Sequence, residues 1–173
     1  YKVDFYNLLA EKFRVNYIRK INDWCIKHNV VLTGHTMNEH FLDGAVNATG
    51  CTITALKEFS LPGIDEIATY TIVDQALWIA FGCIEAAARE NGKCAVAELF
   101  AHAATDVIPA RVEQMIWLAS MFKISKYFLA LSPLDARGNV EKKEWFNPMN
   151  YMNPWFEGYP EIGLTASKAA TFA

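Results

Sequence analysis

No run of apolar residues in this chain is long enough to span a bilayer, and no charged leader precedes an apolar stretch with a small-residue cleavage site. A membrane span and a visible signal peptide are therefore not expected. Cysteine is scarce: Cys25, Cys51, Cys83 and Cys94 form no CxxC pair and match no zinc spacing. Buried free thiols are expected instead, which favours a reducing, cytoplasmic compartment. Charge of one sign is scarce too. Sixteen Lys and Arg oppose nineteen Asp and Glu, for a net charge of -3, so no nucleic-acid footprint is present. Short basic pairs such as Lys142-Lys143 read as solvated surface. HExxH is absent, and so is a glycine-rich phosphate loop. Thr33-Gly34-His35 carries one glycine and Glu98-Leu99-Phe100 none, which disfavours nucleotide-binding open sheets. No cofactor is implied.

What is present suits a single domain over residues 1–173, with 53% hydrophobic residues to build its core. Phe5, Leu8, Leu9, Phe13, Tyr17, Ile21 and Trp24 recur at steps of three and four, predicting a helix over 2–28 with one apolar face. Val30–Thr33 reads as a strand buried on both faces. Residues 41–60 read as a loop and then a helix, with some β character at Cys51-Thr52-Ile53-Thr54. Pro62-Gly63 signals a turn before a strand over 64–68. Residues 70–90 form the clearest helix, with Val73, Ala76, Leu77, Ala80, Ile84 and Ala87 inward and Asn91-Gly92 as its stop. Cys94–Ala97 is the third strand, with Glu98 at its end. Asp106 as N-cap and Pro109 in the first turn open a helix over 107–122. Trp117 and Phe122 in this region are expected in the core. Tyr127–Leu131 is the fourth strand. A polar loop (Asp135, Arg137, Gly138, Asn139) and an aromatic tail from Trp145 to Tyr159 follow.

Apolar strands alternating with amphipathic helices predict a parallel sheet with right-handed crossovers. The fold class expected is α/β, a partial (β/α)8 TIM-type barrel with about four parallel strands. A full barrel takes roughly 250 residues, so the chain reads as half an enzyme. Tyr1 in place of Met fits an excised segment.

Ligands of parallel α/β folds gather at the C-terminal strand ends. Polar residues expected there are His35, Asn38, Glu39 and His40 after strand one, Asp65 and Glu66 in strand two, Glu98 at the end of strand three with His102 close behind, and Ser132 and Asp135 after strand four. Glu98 interrupts an apolar run, where an unpaired buried carboxylate is costly. Two carboxylates at one mouth are what glycosidic cleavage needs: one protonates the leaving oxygen, the other activates water or attacks the anomeric carbon. Glu39 and Glu98 are the candidate pair. His35, Asn38, Asp65, His102 and Trp155 are candidate substrate contacts, Trp155 as a ring that stacks on a sugar or plugs the barrel. His35, Glu39 and His40 could in principle share a metal, but their spacing matches no zinc motif, and none is expected.

Asp23-Trp24-Cys25-Ile26-Lys27-His28 leading to Leu32-Thr33-Gly34-His35, then Glu39, Pro62-Gly63-Ile64-Asp65 and Ala97-Glu98-Leu99-Phe100, resembles the catalytic barrel of α-L-rhamnosidase-like glycoside hydrolases. Arg137-Gly138 and Asn153-Pro154-Trp155-Phe156 resemble that family's last barrel strand and tail, so the likeness runs from about Asp4 to Tyr159. It implies Glu39 as general acid and Glu98 as base or nucleophile. The family's Gly-His pair precedes two adjacent acids, and His40 replaces the second. Ala97 and Leu99 replace hydroxyl residues around Glu98, and Ala130 replaces a histidine. These changes imply an altered sugar.

The resulting expectation is a fragment of a carbohydrate-cleaving barrel acting on a carbohydrate substrate. Competing readings are a non-catalytic carbohydrate-binding half-barrel, and a lyase or isomerase using Glu98 and His35 as acid and base. Two raw sheet edges predict pairing with the missing half or with a second copy. Weak or absent activity of the isolated chain goes with that. With Glu39 and Glu98 two strands apart, at about 4.8 Å per strand, the pair predicts inversion.

Overall fold

The computed structural model describes residues 1–66, 75–90, 92–101, 103, 107–129, 134–139, 151 and 153–173, without the side chains of 75–77. His102, Asp106, Val73, Ala130, Leu131, Ser132, Trp145 and Phe146 lie outside the described residues, as do the side chains of Ala76 and Leu77. Four strands form the sheet: β1 (Thr33–Gly34), β2 (Leu61–Glu66), β3 (Ala95–Leu99) and β4 (Ile124–Leu129). They lie in the order β1-β2-β3-β4, and every pairing is parallel. This is the expected α/β sheet in sequential order. Right-handed crossovers between such neighbours carry the connecting helices to one side of the sheet.

Residue alternation shows which side. Ile64, Ala95, Ala97, Leu99 and Ile124 are buried in one core with Phe81, Ile84, Ala87 and Ala88 of helix α5 (Gln75–Glu90). Val112, Met115, Ile116 and Ala119 of α6 (Pro109–Ser120) join it, as do Ile162 and Ala169 of α7 (Tyr159–Ala169). Alanines at 95 and 97 leave room for the helices to pack closely. Each fully buried large apolar side chain adds about 1.5–3 kcal/mol relative to exposure. The opposite face presents Gly63 and Asp65 of β2, with their register partners Val96 and Glu98 of β3, and then Lys126 and Phe128 of β4. Phe128 is 54% exposed there.

Several boundaries differ from the sequence reading. Val30 and Val31 are exposed and precede β1 rather than belonging to it. β2 starts at Leu61, so Pro62-Gly63 lies within a strand and is not a turn. Gly63 is required there. A Cβ would meet the Gly34 carbonyl oxygen and Val96 Cγ1, each at 2.8 Å. Residues 41–60 hold two short helices, α3 (Leu42–Thr49) and α4 (Thr52–Leu56), so Cys51–Thr54 is not a strand. The N-cap of α6 is Ile108 and makes no side-chain cap bond.

Helix formation over residues 2–27 is as expected, but its middle is a π-helical turn, Arg14–Ile18, between α1 (Lys2–Phe13) and α2 (Arg19–Lys27). A π turn shifts the phase of the residues after it. Most of the apolar stripe does not face the core, on either side of that turn, although Phe13 packs against it. Phe5, Leu8, Tyr17 and Trp24 are each more than half exposed, while Ile18 and Cys25 are buried. Glu58 anchors this helix to the rest, accepting hydrogen bonds from Arg14 Nη1 (2.5 Å) and from Arg19 Nε and Nη2 (3.0 and 2.6 Å). Gly50, at φ 75°, lets α1 approach: a Cβ would lie 2.6 Å from Tyr6 O and Ala10 N. All four cysteines are free, but burial holds for Cys25 alone, and Cys94 is exposed. Trp117 is also more exposed than a core residue, while Phe122 packs against the core. No helix among the described residues is long and apolar enough to cross a membrane.

Candidate functional site

The site grows from the early end of β1. That strand stops at Gly34, whose register partner is Pro62, so the next segment of β2 has no strand beside it on that edge. The backbone N–H of Asp65 donates instead to Glu39 Oε1 at 3.0 Å. Glu39 thus completes a hydrogen-bond ladder that β1 leaves unfinished. Thr36 Oγ1 donates to its other oxygen, Oε2, at 3.0 Å. Glu39 is 2% exposed, and these two donors account for how a carboxylate is accommodated there. Asn38, at φ 57°, makes the tight turn that brings Glu39 back beneath the loop, a backbone state Asn tolerates. Asn38 itself points outward and is exposed.

His35 sits above this carboxylate. Its Nδ1–H donates to the Thr36 carbonyl at 2.7 Å, and Nδ1 lies 3.9 Å from Glu39 Oε1. Its other nitrogen, Nε2, lies 4.0 Å from Asp65 Oδ2 and 3.8 Å from Glu98 Oε2. Asp65 and Glu98 are register partners on β2 and β3, so both project from the face the helices leave open. Glu98 stands inside β3, one residue before its end. Three carboxylates from three successive segments thereby surround one imidazole.

Electrostatics follow from this crowding. Glu39 beside Nδ1, helped by the Thr36 carbonyl and the charge of Asp65, overcomes burial and raises the His35 pKa to about 9. His35 is an imidazolium at neutral pH. Burial pushes Asp65 up to about 6, with the charges of Glu98 and Glu39 adding to it and that of His35 opposing. Asp65 Oδ1 is buried and has no hydrogen-bond partner among the described residues. Behind this group, on the helix-facing side, His40 Nε2 is 2.9 Å from Glu66 Oε2, and Glu66 raises the His40 pKa.

Compared with protein-family models, curated proteins and solved structures, the chain matches none. Its chemistry is therefore argued from these side chains.

Of the residues singled out from sequence, Glu39, Glu98, His35 and Asp65 come together. Trp155 does not join them through any described contact. Its indole N–H donates to the Val107 carbonyl at 3.0 Å, and its ring packs against the core. Asp135 closes its own loop, accepting from the Arg137 and Asn139 backbone N–H groups at 2.8 and 2.9 Å. Among the described residues no three His, Cys, Asp or Glu side chains are spaced to share a metal ion. Sequence reasoning missed Thr36 and the His40–Glu66 pair.

Proposed function

We propose that this chain is the C-terminal part of a (β/α)-barrel glycoside hydrolase, and that Glu39, Asp65 and Glu98 around His35 form its sugar-cleaving site. One observation carries the reading: carboxylates from three successive segments converge on a single imidazole, on the sheet face left open by the helices. Glycosidic cleavage needs a carboxyl group that holds a proton beside one that does not, and unlike environments produce that division. Asp65 and Glu98 are also close enough. Both contact His35 Nε2, so their nearest oxygens lie within about 8 Å of each other, inside the range such pairs use.

Sequential parallel strands without a phosphate loop support the barrel, as does a site at the C-terminal side of the sheet. Resemblance to the α-L-rhamnosidase-like hydrolases supports the same chemistry through Glu39 and Glu98. The substrate is a carbohydrate whose sugar is left open by Ala97 and Leu99 beside Glu98. The remaining strands come from the rest of the barrel or from a second copy.

The test is NMR of the full chain titrated with a panel of monosaccharides, together with long incubations on phenyl and dinitrophenyl glycosides. A sugar-dependent shift of the His35 ring, and slow cleavage that Glu98→Gln abolishes, are expected. Binding retained with no cleavage under any condition would favour the carbohydrate-binding reading.

A further inference from the structure

β4 does not alternate evenly. Ile124 pairs with Ala95 and faces the helices, but Val96 pairs with Lys126, so Ser125 is an extra residue in the strand. A bulge of this kind turns the residues after it over to the other face of the sheet. Tyr127 accordingly points to the helix side, where its hydroxyl donates to the Ile116 carbonyl of α6 at 3.1 Å. Leu129 packs against the same core. Phe128, between them, stands on the open face with more than half of its surface exposed. Without the extra residue Tyr127 would be the register partner of Glu98, and Phe128 would face the helices. The bulge sets the phenyl ring beside the carboxylate.

Asp65, Glu98 and Phe128 therefore form one row across β2, β3 and β4, with steps of about 4.8 Å from strand to strand. His35 lies over one end of the row, its Nε2 4.0 Å from Asp65 Oδ2 and 3.8 Å from Glu98 Oε2. The ring marks the other end. Whatever covers this row must meet two demands. It must bring hydrogen-bond donors to Asp65 and Glu98, because covering ionised carboxylates without donors is costly. Within about 5 Å of them it must also present an apolar surface, because the phenyl ring offers no ordinary donor or acceptor. A flat apolar protein surface meets only the second demand, and a strongly charged one only the first. A pyranose meets both, with hydroxyl groups around its rim and a patch of C–H groups on its ring face.

We propose that Phe128 is the platform on which the sugar ring stacks, with the sugar's hydroxyls turned toward Glu98, Asp65 and His35. This rests on the carbohydrate reading above and names the residue that reads the sugar's apolar face. The ligands favoured are pyranosides whose C–H groups gather on one face of the ring. Phe128 holds the sugar and exchanges no proton or electron pair with it. Its loss therefore weakens binding while leaving the chemical step nearly unchanged.

NMR of the full chain titrated with the methyl pyranosides of glucose, galactose, mannose and rhamnose tests this. For a sugar that shifts the His35 ring, its C–H protons should move upfield and cross-relax with the Phe128 ring protons. Phe128→Leu keeps apolar bulk without a flat face and should weaken that sugar about 3- to 10-fold. Phe128→Tyr keeps the ring and should bind within about twofold of the wild type. On any phenyl glycoside that is cleaved, Phe128→Leu should raise KM and leave kcat near the wild-type value. A sugar that shifts His35 without touching Phe128, or that binds Phe128→Leu as tightly as the wild type, would overturn the proposal and leave the carbohydrate site standing. The wild-type cross-relaxation decides the matter even if a variant fails to fold. If none of these sugars moves either ring, the platform and the carbohydrate reading fall together.

Discussion

Asp65 and Glu98 are register partners on neighbouring parallel strands, and one imidazole nitrogen of His35 contacts both. Like charges so close to each other resist simultaneous ionisation. The positive charge of His35 relieves part of that repulsion, and the charge of the buried Glu39 adds to it. The state of the imidazole therefore reports on the whole group.

Replacing Glu39 should release His35. In Glu39→Gln the largest cause of the raised His35 pKa is gone, so the ring should titrate much nearer to its ordinary 6.5 than to about 9. Following the ring protons against pH measures this directly. An unchanged titration would show that Glu39 does not govern His35. The Asp65 N–H keeps an acceptor in the Gln amide oxygen, so the fold should survive, with a loss of about 1–2 kcal/mol.

Stability should fall with rising pH in two windows. Asp65 has a folded pKa above its ordinary 3.8, so the stabilisation from its proton is present below that value and lost as pH rises through about 6. His35 has a folded pKa above 6.5, so its contribution is full below 6.5 and lost as pH rises through about 9. Thermal melts from pH 4 to pH 10 on the wild type, Asp65→Asn and His35→Gln check both. Asp65→Asn should flatten the lower window and His35→Gln the upper one.

Gly63→Ala should damage the sheet beside the site. The added methyl meets the Gly34 carbonyl oxygen and Val96 Cγ1 at 2.8 Å, so β1 or β3 must shift. Overpacking of this kind costs about 1–3 kcal/mol. Denaturant unfolding gives the number, and loss of the His35 shift on sugar addition would show that the displacement reaches the site.

Glu58→Gln should loosen the long N-terminal helix. Arg14 and Arg19 together hold the Glu58 pKa below the usual range, so this anchor is present above about pH 4.5 and lost as pH falls. A charge-assisted clamp of this kind is worth about 1.5–3 kcal/mol at most. Hydrogen exchange along residues 2–27 should rise in the variant with little change in β2 and β3.

Parallel order was legible because apolar runs such as Cys94–Ala97 alternate with helical stripes such as Ala80, Ile84 and Ala87, all three of which are buried. The edges of strands were not. Pro62-Gly63 looks like a turn, yet the missing Cβ is what lets three strands meet there. The stripe from Phe5 to Trp24 gave the helix but not its environment, since periodicity says which residues share a face and not what covers it. Four site residues could be named from their places near strand ends. The adjacency of Asp65 and Glu98 could not, because register across a parallel pair is set by packing that no local pattern records.

The most direct test of the proposed site is the His35 ring signal of the full chain during titration with monosaccharides, beside the same titration of Glu98→Gln and paired with glycoside incubations. The expected result is a saturable shift for at least one sugar in both proteins, with cleavage of the matching phenyl or dinitrophenyl glycoside by the wild type alone. A ring signal that no sugar moves, together with no cleavage, would contradict a carbohydrate site at His35, Asp65 and Glu98.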